Sequence, residues 1–130
     1  MKARQYMEQG IRIQERIDAL TKHRDRVLST TAKINGYSSS GGGNARKTES
    51  AVQLDEEIER QIKRLEEIKI DILRTIEKVQ DNTYATILIE HYMNDVSLWD
   101  ISYKTGFDYR TITRLHGVAL EIVQRIIDGK

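Results

Sequence analysis

Two arginines four residues apart, Arg110 and Arg114, are the side chains of this sequence best suited to a chemical task. On an α-helix that spacing puts both on one face. A guanidinium presents a planar fork of donors that matches guanine O6 and N7, each paired contact giving about 1–3 kcal/mol of discrimination. Tyr109 and Thr113 stand beside them, suited to base edges or thymine methyls. Lys104, Thr111 and His116 are suited to phosphate oxygens, contacts that position a protein without reading sequence. Plainer alternatives stay open: the three basic residues as ordinary solvated side chains, and His116 as a local cap or stacking group. Other chemistry finds little material. His23, His91 and His116 fall on three separate segments without metal-ligand spacing, and cysteine is absent. Glu56, Glu57, Glu66 and Glu67 lie on a charged helix surface with no strands to form a pocket around them. The triple glycine at 41–43 is followed by no Gly-Lys-Ser/Thr and preceded by no strand, so it does not read as a phosphate loop. No catalysis, metal or cofactor is therefore expected.

The elements that must position these residues lie in SLWDISYKTGFDYRTITRLH, residues 97–116. Ser97 is a good N-cap, with Asp100 three residues on. From Leu98 a helix of about two turns points Leu98 and Ile101 inward, with Trp99 on an adjacent face and expected in the core. Gly106 supplies the positive φ that ends a helix sharply. Phe107 is expected to pack in the corner, and Asp108 to cap a second helix whose stripe is Ile112, Leu115, Ala119, Ile122 and Ile126. Two helices joined by a tight glycine turn make a helix-turn-helix, whose second helix stands clear and fits a DNA major groove. Ser102 takes the small-residue place where the helices cross. A second row, Val118, Leu120, Val123 and Ile127, widens the apolar surface of the last helix, to be covered by the N-terminal part, another chain, or a short helix at 84–93.

The rest of the chain predicts a support. Tyr6, Ile13, Leu20, Val27 and Ile34 recur every seven residues, interleaved with Gly10, Ile17, Arg24 and Thr31. A second segment carries Leu54, Ile58, Ile62, Leu65, Ile72, Ile76 and Val79. Such repeats favour coiled-coil packing. Residues 1–33 hold eight bases against four acids, and residues 48–80 nine acids against six bases, so the two helices suit each other. The expected fold is all-α: a long antiparallel, coiled-coil-like hairpin over 1–80 with a flexible Gly/Ser linker at 35–48, then a compact helix-turn-helix domain over 81–130. The 130 residues contain no proline, and no apolar run approaches the ~18–20 residues that span a bilayer. MKARQYMEQG lacks the apolar segment of a secretion signal. A cytoplasmic protein with no membrane partner is expected.

SLWDISYKTGFDYRTITRLHGVAL resembles region 4 of bacterial sigma factors, whose bihelical unit also ends in an Ala-Leu pair, here Ala119-Leu120. The whole chain resembles a family of small phage and prophage transcriptional regulators of Gram-positive bacteria, with Tyr109-Arg110 and Arg114-Leu115-His116 as its signatures. The resemblance implies a phage transcriptional regulator similar to activators of late genes, working beside host RNA polymerase or a sigma factor; the helix-turn-helix makes double-stranded DNA the expected partner, and the apolar stripes of the hairpin lead to an expected homo-oligomer. Sigma recognition helices begin with an arginine and a glutamate, where this chain has Tyr109 and Arg110, so the sequence read need not be a sigma-type element. Two other functions compete: a DNA-packaging protein resembling a terminase small subunit, and a sigma-like module that binds polymerase without reading DNA.

Overall fold

The computed structural model describes residues 1–35 and 49–129, the side chains of 31–35 excepted. Every regular element among them is helical: α1 (Ala3–Asn35), α2 (Glu49–Glu77), α3 (Asn82–Leu88), a π-helical turn (Ile89–Met93), α4 (Leu98–Thr105) and α5 (Tyr109–Ile127). The expected all-α class is what is found. Apart from Asn35, the last residue of α1, the expected linker at 35–48 lies outside the described residues, as do the side chains of Thr31 and Ile34.

Two compact units form, and they do not divide at residue 80. One comprises Met1–Arg12 with Glu66–Lys130, the other Ile13–Leu65. The ends of both long helices therefore belong with the C-terminal elements. The reason is a shared core: Ala3 and Met7 of α1, Ile72 and Ile76 of α2, Val79, Leu88, Tyr92, and Ala119 and Val123 of α5 are buried together. Leu120 and Ile127, half of the second apolar row of α5, pack against that core. The Ala3 N–H donates to Gln124 Oε1 at 2.7 Å, and the Tyr6 hydroxyl donates to Asp71 Oδ2 and meets Thr75 Oγ1, both at 2.7 Å.

The second unit pairs the remainder of α1 with the start of α2. Ile13, Ile17, Ala51, Ile58 and Leu65 are buried, while Ile62, expected in the seam, is exposed on the flank of the row. Arg24, which interrupts the apolar repeat of α1, puts its guanidinium 3.2 Å from Asp55 and 3.1 Å from Asp25.

Local chemistry fixes the short elements. Asp81 caps α3, its Oδ1 accepting the N–H groups of Thr83 at 2.8 Å and Tyr84 at 3.3 Å, so the helix starts at Asn82. The helix expected over 84–93 widens into a π turn at its end, where the Asn94 N–H reaches back five residues to the Ile89 carbonyl. Asp95 then takes a positive φ of 56° and releases the chain towards α4.

Candidate nucleic-acid interface

The corner between α4 and α5 is built by a few short-range hydrogen bonds. Ser97 Oγ accepts the Asp100 N–H at 3.0 Å and starts α4. Gly106 stops it at φ 78°, with its N–H on the Ser102 carbonyl. A Cβ at Gly106 would meet nothing within 4 Å, so backbone conformation alone requires glycine there. The Ser102 hydroxyl crosses the turn to donate to the Phe107 carbonyl at 2.7 Å, a use of the small residue beyond close packing. Asp108 caps α5, its Oδ1 accepting the Thr111 N–H at 2.7 Å. Hydrogen bonds from the Thr111 hydroxyl and then its N–H hold the Asp108 carboxyl below its ordinary range. Beneath the corner Ile87, Ile101 and Ile112 form a small core flanked by Val96, Leu98 and Leu115, which sets α5 across α3 and α4.

This arrangement leaves the first turns of α5 in solvent on one side. Tyr109, Arg110, Thr113 and Arg114 are all exposed. Thr113 turns its hydroxyl back to the Tyr109 carbonyl at 2.9 Å. Among the described residues neither Arg110 nor Arg114 is in an ion pair, so both guanidinium groups stand ready for an anion or a base edge. Gly117, one turn beyond Arg114 on the same face, is exposed, and an added Cβ would meet nothing within 4 Å. No packing among the described residues calls for glycine at that point of a helix. A close approach from outside would.

The residues assigned to phosphates fare differently. Lys104 is exposed but lies 3.6 Å from Glu90, which offsets its charge. Thr111 is half-buried, and its N–H and hydroxyl both serve the Asp108 cap. His116 is a correction: at 4% exposure it lies in the core and cannot meet a phosphate from there. Its Nε2 is 2.7 Å from the Tyr92 hydroxyl, and the His91 ring stands edge-on to it with centroids 5.3 Å apart. Burial, followed by the charges of His91 and Arg4, pulls the His116 pKa down to about 4. Burial likewise pushes Tyr92 up to about 12, so the two groups meet as a neutral hydrogen-bonded pair. His91 Nδ1 donates to the Val96 carbonyl at 2.8 Å. Two histidines from separate segments thus come together, although no group of three or more metal-ligating side chains forms among the described residues.

Two aromatic residues also depart from expectation. Phe107 is 48% exposed, at the rim of a groove of about 350 Å³ floored by Ile87, Ile101 and Ile112, and is not packed in the corner. Trp99, expected in the core, is 63% exposed, with its ring 5.4 Å from that of Tyr109. Its position was legible from the wheel of α4. Leu98 and Ile101 face inward, and Trp99 shares the opposite side with Tyr103.

No helix among the described residues is long and apolar enough to cross a membrane. No curated protein and no solved structure matches the chain. The family model described as "Protein of unknown function (DUF1492)" matches residues 27–124, which takes in the end of α1, all of α2, α3 and α4, and the exposed face of α5. With that match covering three quarters of its length, the chain belongs to this family, which is found in phage and prophage proteins.

Proposed function

We propose that the protein is a sequence-specific DNA-binding regulator of phage transcription, acting in the host cytoplasm beside RNA polymerase as a homo-oligomer joined through its long helices. The observation that carries this reading is the face of α5 on which Tyr109, Arg110, Thr113 and Arg114 stay exposed while Ile112, His116, Ala119 and Val123 are buried behind them. A helix held from behind and free in front has the shape that enters a major groove. Arg110 and Arg114 would take paired bonds to guanines, and Tyr109 and Thr113 neighbouring base edges. Lys104, freed from Glu90, would reach a phosphate. The resemblance to sigma region 4 supplies the polymerase partner.

Selection of bound duplexes from a random pool tests the reading, run with the wild type and with Arg110→Ala plus Arg114→Ala. An enriched motif that the double variant loses is the expected result. Equal enrichment by both proteins would mean that another surface reads DNA, and no enrichment by either would refute the function.

A further inference from the structure

Trp99 is the only tryptophan of the chain, and nearly two thirds of it stays in solvent. A side chain that buries 150–250 Å² when packed normally finds a core, and the core of the corner is close by. Ile101 reaches it from two residues away, about 200° round the same helix. Trp99 instead keeps company with aromatic residues on the outer surface. Its ring and that of Tyr109 lie 5.4 Å apart with planes tilted by 54°. Tyr103, four residues along α4 and so on the same face, is 88% exposed. Tyr109 opens α5 immediately before Arg110. The outer side of α4 and the exposed side of α5 therefore meet at a ring pair, and Tyr109 is followed in sequence by Arg110, which like Arg114 is in no ion pair among the described residues.

Resting on the DNA-binding reading above, we infer that Trp99 is a DNA-contacting residue that positions the protein. Its ring, braced by Tyr109, packs on the deoxyribose at the rim of the groove that α5 enters, and its indole N–H donates to a phosphate oxygen. The combination of exposed rings and arginines selects this occupant. A duplex rim offers an apolar sugar face for the rings, an acceptor for the N–H and anionic oxygens for the arginines, all within one groove wall. Two acids lie nearby: Thr111 holds the Asp108 carboxylate charged at the N-terminus of α5, where the helix end offsets part of that charge, and Asp100 is about 100° round α4 from Trp99. Because sugar and phosphate carry no base identity, Trp99 governs affinity and leaves the choice of sequence to α5.

A lone tryptophan makes the test direct, since its fluorescence reports position 99 alone. The full chain is titrated with a dye-labelled duplex enriched from the random pool, following anisotropy of the dye and acrylamide quenching of the indole together. Trp99 should become protected from acrylamide with the same midpoint as the anisotropy curve. Trp99→Ala should weaken binding about tenfold while enriching the same motif as wild type, and Trp99→Phe should recover part of the loss. Normal anisotropy with unchanged quenching, or unaltered affinity in Trp99→Ala, overturns the inference and leaves the DNA-binding reading intact. Protection by RNA polymerase but not by the duplex also overturns it, in favour of a protein contact. Failure of the chain to enrich any duplex removes both.

Discussion

Lowering the pH from 7 to 5 should weaken the C-terminal unit through one side chain, His116. The imidazole is buried against Tyr92, and burial holds its pKa near 4, against 6.5 for a free histidine. In the folded state it therefore stays neutral through the range in which the unfolded chain takes up a proton. The unfolded state binds more protons between the two values, so stability is complete above the higher one and falls as the pH drops through the window. From these values the loss between pH 7 and pH 5 is about 2 kcal/mol, approaching about 3 kcal/mol near pH 4. The groups facing the pair are part of that depression: His91 stands edge-on to His116, and the Arg4 guanidinium on α1 opposes a second positive charge.

The measurement is urea unfolding followed by circular dichroism at both pH values, for wild type and His116→Gln. A glutamine carboxamide still offers Tyr92 an acceptor but does not titrate, so the difference between the two proteins removes every other ionisable group. Wild type should lose about 2 kcal/mol more than the variant. Parallel losses would refute the argument, and an NMR titration placing the His116 pKa above 6 would refute its premise directly.

Two substitutions test the corner and the exposed face. Gly106→Ala should cost about 1–2 kcal/mol in thermal or urea unfolding, from the positive φ alone because its Cβ meets no neighbour; an unchanged midpoint would show that the turn can relax. Gly117→Ala should stabilise the fold by about 0.5–1 kcal/mol, since the position is helical and open, yet weaken binding to the enriched duplex. A variant that is more stable and binds equally well would show that nothing approaches this point closely.

What could be read from the sequence was what local chemistry fixes. Ser97, Gly106 and Asp108 each act on groups within four residues, and their roles follow from residue type and spacing. His116 shows where such reading stops. Hydrophobicity alone selects Ile112, Leu115, Ala119, Ile122 and Ile126 as the inner stripe. The buried line is Ile112, His116, Ala119 and Val123, equally good in helical spacing but centred about one residue further along. A polar residue enters such a line only if it finds a partner, and that partner, Tyr92, is 24 residues away. The docking of the first turns of α1 is further still from local rules, since Ala3 and Gln124 are 121 residues apart. That contact is also why one compact unit takes in Met1–Arg12 together with Glu66–Lys130: the end of the sequence repeat does not coincide with the end of the shared core.

The charge distribution around α5 constrains how the proposed reader would work. Residues 97–130 carry five bases against four acids, and of those bases Lys104 sits beside Glu90 and Arg125 lies in the last turn of α5, away from the exposed first turns. Lys130 lies outside the described residues, which leaves Arg110 and Arg114 on the exposed first turns of α5, where the Arg114 charge acts on the nearby Asp108 carboxylate. Affinity for duplex DNA arises largely from counterions released per neutralised phosphate, and proteins with strong salt dependence neutralise about six to ten. One copy of this face supplies two or three. Tight binding by a single chain would thus have to come from base and aromatic contacts, whereas two copies on half-sites about 34 Å apart would double the electrostatic contribution and add the symmetry that helix-turn-helix proteins exploit. On the proposed reading the long helices would provide that duplication, and the selected duplexes would report it as a repeated motif of fixed spacing.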